Sequence, residues 1–361
     1  MDFFKKDLVF TLAIIAALVS MCFVPPSLQY LDYFDFGVLC TLFCLMCVVA
    51  GFRACGLLEF ISNRLLHATH SLRGISFLLV LLCFFSAMLI TNDVALIAFV
   101  PLTLVILQDS APGRSAYLIA LETMAANLGS MLTPIGNPQN LYLYSYYHMS
   151  LGAFFQTVVP VCLCSLLLLS FLLLVGRNQT LTAAGRTVFL QKKRLCFYLF
   201  LFFLCLLTVL RVMDFRFSTG FILILLFFFE RTILRQVDYR LLGTFAAFFV
   251  LVGNLSALEP VRSQVMQFMQ GRELLAAVLV SQVISNVPAA IMLSHFTDQS
   301  ADLLLGSNLG GLGTLVASLA SLISYKFYIK SPDAKPLRYL GIFTLLNLGM
   351  LAALGLISAI L

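Results

Sequence analysis

One carboxylate stands in the middle of an apolar stretch. Thr91-Asn92-Asp93 interrupts the run from Ile75 to Leu107. At bilayer depth a carboxylate costs several kcal/mol unless it is paired, protonated or bound to a cation, so Asp93 reads as an ion- or proton-handling group. The structural alternative is that Asp93 caps a helix that begins at the interruption.

Three further polar constellations lie in similar surroundings. Asn127-Leu-Gly-Ser-Met-Leu-Thr-Pro-Ile-Gly-Asn-Pro-Gln-Asn140 breaks one apolar run, Ser285-Asn286-Val287-Pro288 breaks a second, and Gly306 to Thr314 breaks a third. Unsatisfied backbone is tolerated at membrane depth only where protein or a water-filled cavity surrounds it, and transporters hold ions and solutes at such broken helices. Where one helix ends and another begins, free N–H groups and a helix dipole welcome an anion. Asn92, Ser285 and Asn286 add amide and hydroxyl donors. Carbonyls released by Gly129, Gly136, Gly306, Gly310 and Gly313 suit a small cation such as sodium.

The candidate ligands for substrate and coupling ion are Thr91, Asn92, Asp93, Asn127, Thr133, Gly136, Asn137, Ser285, Asn286, Asn308, Gly310 and Thr314. Sodium is expected near Asn92, Asp93, Gly136, Asn286 and Gly310. Thr133 and Thr314 hold equivalent places in two breaks, which suits paired ligation, although threonine also bonds its own helix backbone. Glu122, a few residues before the Asn127 to Asn140 break on a helix starting near Ser115, reads either as membrane-buried and coupled or as lying near the inner interface.

Other chemistries fit less well. The chain has neither His-Glu-x-x-His nor Gly-x-Ser-x-Gly, so hydrolytic enzyme motifs are missing. Cys44-Leu-Met-Cys47 has metal or redox spacing but lies in an apolar run without a partner pair. The ten cysteines lie almost wholly in apolar runs, where they act as small hydrophobes. His67 and His70, three apart, fit a solvated helix face. No cofactor is expected beyond a sodium ion or proton, and no nucleic-acid partner, since the net charge of +6 is scattered over segment ends.

The elements that must position these residues are membrane helices. Of 361 residues, 61% are hydrophobic and 11% charged, and mean hydropathy is +1.03. This composition gives an all-α polytopic membrane protein with room for roughly nine to eleven membrane segments. Lys5 and Lys6 precede a first helix from Leu8 to Val24 that ends at Pro25-Pro26 and is expected to be retained, since no small-residue cleavage site follows. Phe52 to Gly74 reads as an amphipathic interfacial helix. Residues 75–107 and 274–296 read as re-entrant hairpins with polar tips, and 115–148 and 303–325 as broken helices. Gly176 to Arg194 is the longest polar linker; Asn178-Gln-Thr180 within it is a glycosylation sequon by letter only.

Of 22 lysines and arginines, all but Arg211, Arg216, Arg262 and Arg272 fall on one side in this topology. Positive charge marks the cytoplasmic side, so the expectation is an inner-membrane protein with a cytoplasmic N-terminus and an external C-terminus. Asn308-Leu-Gly-Gly-Leu-Gly-Thr314 matches Asn127-Leu-Gly-Ser-Met-Leu-Thr133 at four of seven positions, and Asp35 and Thr41 answer Asp238 and Thr244 at one common offset. The reading is two repeats: 1–175, then 176–213 as linker plus one extra helix, then 214–361. The extra crossing makes the repeats inverted, as in alternating-access carriers.

Thr91-Asn92-Asp93 followed by Pro101, the Asn127 to Asn140 motif, and Ser285-Asn286-Val-Pro288 together resemble the ion transporter superfamily, in its citrate-transporter-like and arsenite-permease-like branch, which also holds sodium/proton antiporters. The resemblance covers nearly the whole chain. It implies two inverted repeats with opposed hairpins, elevator-like movement against a scaffold, and a homodimer. It also implies binding at the two tips and in the breaks around Gly136-Asn137-Pro138 and Asn308 to Thr314. Dicarboxylate members have Ser-Asn-Thr at both tips, whereas this chain has Thr-Asn-Asp and Ser-Asn-Val. The expected function is secondary transport of a small inorganic or organic anion coupled to sodium or protons; the alternative is sodium/proton antiport.

Overall fold

Every regular element among the described residues is helical, and polar side chains set where several of the helices start. The computed structural model describes residues 8–58, 60–61, 71–108, 112–174 and 190–360. Helix α1 (Leu8–Ser20) is followed by a 3-10 segment, Leu28–Tyr33, and by α2 (Phe36–Ala54). Asp35 caps α2 by accepting from Val38 N at 2.9 Å. The first hairpin is α3 (Leu72–Ile90) and α4 (Asn92–Gln108), and the first broken helix is α5 (Ser115–Ser130) and α6 (Pro138–Tyr146). Next come α7 (Leu151–Leu174), α8 (Lys192–Val209), α9 (Phe215–Phe229), a single turn at Arg231–Leu234, and α10 (Tyr239–Ala257). Asp238 caps α10 through Arg240 N and Leu241 N, as Asp35 caps α2. The chain continues through α11 (Glu259–Met269), the second hairpin α12 (Glu273–Ile284) and α13 (Asn286–Ser294), and the second broken helix α14 (Ser300–Leu309) and α15 (Leu319–Tyr328). It ends with α16 (Pro336–Ile360).

The helices sort into two groups by their packing. Helices α1, α2, α8, α9 and α10 pack on one another, with α1 against α10 and α8 and α9 against α2. The hairpins, broken helices, α7 and α16 form the second group, in which the halves interlock: α15 packs on α4 and α5, α6 on α13 and α14, and α16 on α5 and α7. Helices α2, α3, α7, α10 and α16 are long and apolar enough to cross a membrane. Large apolar side chains such as Leu163, Leu167, Phe171, Phe227 and Phe228 are exposed on α7 and α9, as lipid-facing surfaces are. The chain is a polytopic membrane protein, and all ten cysteines are unpaired thiols.

Several boundaries differ from the sequence reading. The first hairpin begins at Leu72 rather than residue 75, because Ser71 Oγ accepts from Gly74 N at 3.0 Å and caps α3. At 19 residues this arm is long enough to span by itself. The second break runs from Gly310 to Ser318 rather than from Gly306 to Thr314: Gly306 O accepts from Gly310 N at 2.8 Å, so Gly306 and Asn308 stay helical. Residues 259–269 form a further helix, α11; Pro260 in its first turn favours initiation there. His67, His70 and Asn178 lie outside the described residues, as do 59 and 62–70 of the expected interfacial helix and most of the Gly176 to Arg194 linker.

Candidate functional site

Both hairpins turn on one residue in a backbone conformation that only glycine adopts readily. Thr91 has φ 70° and ψ 152°, and Ser285 has φ 76° and ψ 154°. Such a conformation stores about 1–3 kcal/mol, which surrounding structure must hold in place. The two breaks provide that support in matching ways. Thr133 Oγ1 donates to Met88 O, and Thr314 Oγ1 to Gln282 O at 3.3 Å; each carbonyl lies three residues before its own tip. The two threonines thus tie each break to its hairpin, and Thr314 is solvent-exposed.

Between the tips lies a buried network of asparagines. Asn92 Nδ2 donates to Asn127 Oδ1 at 2.9 Å, and Ser318 Oγ reaches the same oxygen at 3.1 Å. Asn127 Nδ2 donates to Gly311 O at 3.3 Å. Asn137 Nδ2 donates to Asn308 Oδ1 at 2.9 Å and to Ser130 Oγ at 3.1 Å. Asn308 Nδ2 in turn donates to Asn140 Oδ1 at 2.7 Å. Asn140 Nδ2 covers the carbonyls of Met131 and Thr133 at 3.1 and 3.0 Å. The same offset that relates Asn127 to Asn308 relates Asn137 to Ser318, so Asn137–Asn308 and Ser318–Asn127 are reciprocal bonds between the halves. A water-excluded network of this kind holds only if its members are satisfied, and among the described residues these are.

Glycines let the backbones close on this network. A Cβ at Gly136 would stand 2.1 Å from Ser130 O, and one at Gly129 2.1 Å from Phe84 O. Neither backbone can yield. At the second tip Ser285 makes only long contacts, 3.5 Å to Asn286 Oδ1 and to Ala317 O, while Asn286 lies against Gly311.

The glycine carbonyls are less free than their positions in the sequence suggest. Gly129 O accepts from Leu132 N, and Gln282 Nε2 donates to Gly310 O and Leu312 O, each at 3.0 Å. Gln282 Oε1 also accepts from Thr314 N at 2.9 Å. The second break is thereby satisfied by one glutamine, as the first is by Asn140.

Asp93 is the exception to this closure. Its carboxylate makes no hydrogen bond or ion pair with a described residue and does not cap α4, where Asn92 Oδ1 accepts from Asp93 N at 3.0 Å. It opens instead into a cavity of about 350 Å³ together with Thr91, Asn137, Arg53, Gln236 and Asp238, within the size range of small-molecule sites. The cavity separates α4 from the half of α2 that ends in Arg53. In the second half, by contrast, α13 packs directly on α10. A separate pocket of about 410 Å³ lies at the opposite end of α2, lined by Gly37, Thr41, Tyr144, His148, Arg211 and Asp214, and reaches neither tip.

Of the residues expected from sequence, Thr91, Asp93 and Asn137 line the cavity. Asn92, Asn127 and Asn308 form the network behind it, with Gly136 folded onto the end of α5 and Gly310 held by Gln282. Ser285 and Asn286 sit on the far side of the network, at the second tip. Sequence reasoning passed over Asn140, Gln282, Ser318, Arg53 and Asp238. Two signals were available: Ser281-Gln282 is a polar pair in an apolar run just before a tip, and Asp238 stands at the same offset from Asp35 as Thr244 from Thr41.

Two strained tips, two broken helices and a carboxylate facing a cavity within an apolar helical bundle are the features of a multi-pass membrane transport protein. The chain belongs to the citrate transporter family, whose model matches residues 4–323. It is 32% identical over 289 residues to the uncharacterized transporter MJ0456 of Methanocaldococcus jannaschii, covering 79% of each chain. It is 29% identical over 331 residues to the inner membrane protein YbiR of Escherichia coli, covering 89% of this chain and 88% of that one. A shorter match, 26% over 132 residues, is to the silicon efflux transporter LSI3 of Oryza sativa, covering 37% of this chain and 27% of the rice protein.

Proposed function

We propose that this protein is a secondary active transporter that carries a small organic or inorganic anion together with a coupling sodium ion or proton. The observation that supports this reading most is the unequal access to the two sides of one site. Asp93 meets an open cavity on the side of Arg53 and Asp238, while the opposite pocket stops short of the tips. That is the arrangement of one state of an alternating-access carrier, the hairpins and broken helices moving as a unit against α2 and α10. Two repeats of inverted topology, 1–175 and 214–361, account for the reciprocal Asn137–Asn308 and Ser318–Asn127 bonds. Arg53, Gln236 and Asp238 lie at loops read as cytoplasmic, so the state is inward-facing, in a protein of the inner membrane.

The cavity holds two carboxylates, Asp93 and Asp238, and one guanidinium, Arg53. A polyanion is repelled there unless a cation enters with it and bridges it to Asp93. The family's name makes citrate the first anion to try, with sulfate and arsenite beside it. The same excess of carboxylate favours the second reading, sodium/proton antiport with Asp93 binding the cation alone. Proton flux in proteoliposomes separates them. On the first reading flux requires an anion and falls away in Asp93→Asn. Flux driven by sodium or lithium with no anion present refutes the first reading and establishes the second.

A further inference from the structure

A second acidic side chain is buried in the transport unit, away from the Asp93 cavity. Glu122 on α5 is wholly inaccessible. Thr103 Oγ1 of α4 donates to its Oε1, and its Oε2 has no hydrogen-bond partner among the described residues. The titratable groups that face it are the Cys83 thiol from α3 and the Tyr339 hydroxyl from α16. On α15 Ser324 accepts from Thr123 Oγ1 at 2.8 Å, and α7 carries no charged residue. No positive charge is placed against Glu122 among these elements.

An ionised carboxylate with one hydrogen bond and no counter-charge is not sustained in such a place. A neutral acid is, with the proton on the unpartnered oxygen. A surface cleft opens two helical turns from Glu122 along α5. This cleft of about 280 Å³ is lined by Pro101, Leu104 and Val105 of α4, Ser115 at the start of α5, and Lys330 and Asp333 after α15. Thr103 is wholly buried on the other side of α4 from these residues, and Glu122 is about 10 Å along α5 from Ser115.

We propose that Glu122 is a proton-binding site separate from the Asp93 cavity, filled and emptied from the side of this cleft, the face that carries Lys326, Lys330, Lys335 and Arg338. Its reaction is a proton transfer: the carboxylate takes a proton from hydronium, whose O–H bond breaks to leave water, and later returns that proton to water. Because Glu122 belongs to the group of helices that includes both tips, its proton travels with whatever that group carries. The charge of the moving unit is then set by two acids rather than one.

The test reads the carboxyl itself and so is independent of which solute is transported. The full-length protein in liposomes is followed by infrared difference spectroscopy, using protons and deuterons as the probe. At neutral pH a protonated-carboxyl band is expected. It should be lost in Glu122→Gln, kept in Asp93→Asn, moved in frequency by Thr103→Val, shifted in heavy water, and bleached as pH rises. Should Glu122→Gln fail to fold, Glu122→Asp and Thr103→Val give the same assignment by displacing the band. A neutral-pH spectrum with no band attributable to Glu122 overturns the proposal, since the group is then ionised. So does a band that neither exchanges in heavy water nor responds to pH, which marks a sealed structural acid.

Discussion

Asn137 does two jobs, and a pair of substitutions separates them. Its Oδ1 accepts from Asn140 N at 2.9 Å and caps α6, while its Nδ2 reaches across to Asn308 Oδ1. Asn137→Ser keeps a good cap but is too short to reach Asn308, whose Oδ1 is left buried without its donor. Buried side-chain hydrogen bonds in membrane proteins average about 0.6 kcal/mol and reach about 1.7, so with the Ser130 contact also lost we expect Asn137→Ser to destabilise by about 1 kcal/mol. Asn137→Ala also loses the cap, worth about 1 kcal/mol, for a total of about 2 kcal/mol. The assay is reversible denaturation of the purified protein in bicelles. Combining Asn137→Ser with Asn308→Ala should show a coupling of about 0.6 kcal/mol. Equal losses for serine and alanine, or strict additivity with Asn308→Ala, would refute the division of labour. Serine is also what the second half carries at the matching position, Ser318, so the substitution makes the halves more alike at their point of contact.

Other outcomes follow from the same geometry. Thr91→Gly relieves a strained tip at the expense of backbone entropy, and the balance is a gain of about 1 kcal/mol in the same denaturation assay. Gly129→Ala drives a Cβ into Phe84 O and should abolish monodisperse protein in size-exclusion chromatography, whereas Gly341→Ala, with open space around it, should stabilise α16 by about 0.5–1 kcal/mol. Gln282→Ala uncovers the carbonyls of Gly310 and Leu312, and its loss of stability should exceed that of Gln139→Ala, whose Oε1 has no partner to begin with; denaturation midpoints compare them. Asp238→Asn removes one of the two cavity carboxylates while keeping a capping oxygen, so fold stability should be preserved while the cation requirement of uptake weakens, read as uptake against cation concentration in proteoliposomes.

Composition and pattern alone determined the class of this protein and the location of its breaks. Long apolar runs have one stable form in lipid, and a run interrupted by Thr-Asn-Asp or by Gly-Asn-Pro cannot remain one helix, so both hairpins and both broken helices were legible from the chain. Asn127 to Thr133 and Asn308 to Thr314 also retain matching residues, which is what the expectation of two repeats rests on. What each polar residue does was decided only by tertiary contact. Thr133 and Thr314 fasten hairpins, and Gly310 O is claimed by Gln282 from another helix. Asn127 is satisfied by Asn92, Gly311 and Ser318, and Asn137 by Asn308, while the Asp93 carboxylate is left facing open space. Hydrogen-bonding capacity belongs to the residue type, but whether that capacity is already used depends on which groups the fold brings within about 3 Å, and no linear spacing records that distance.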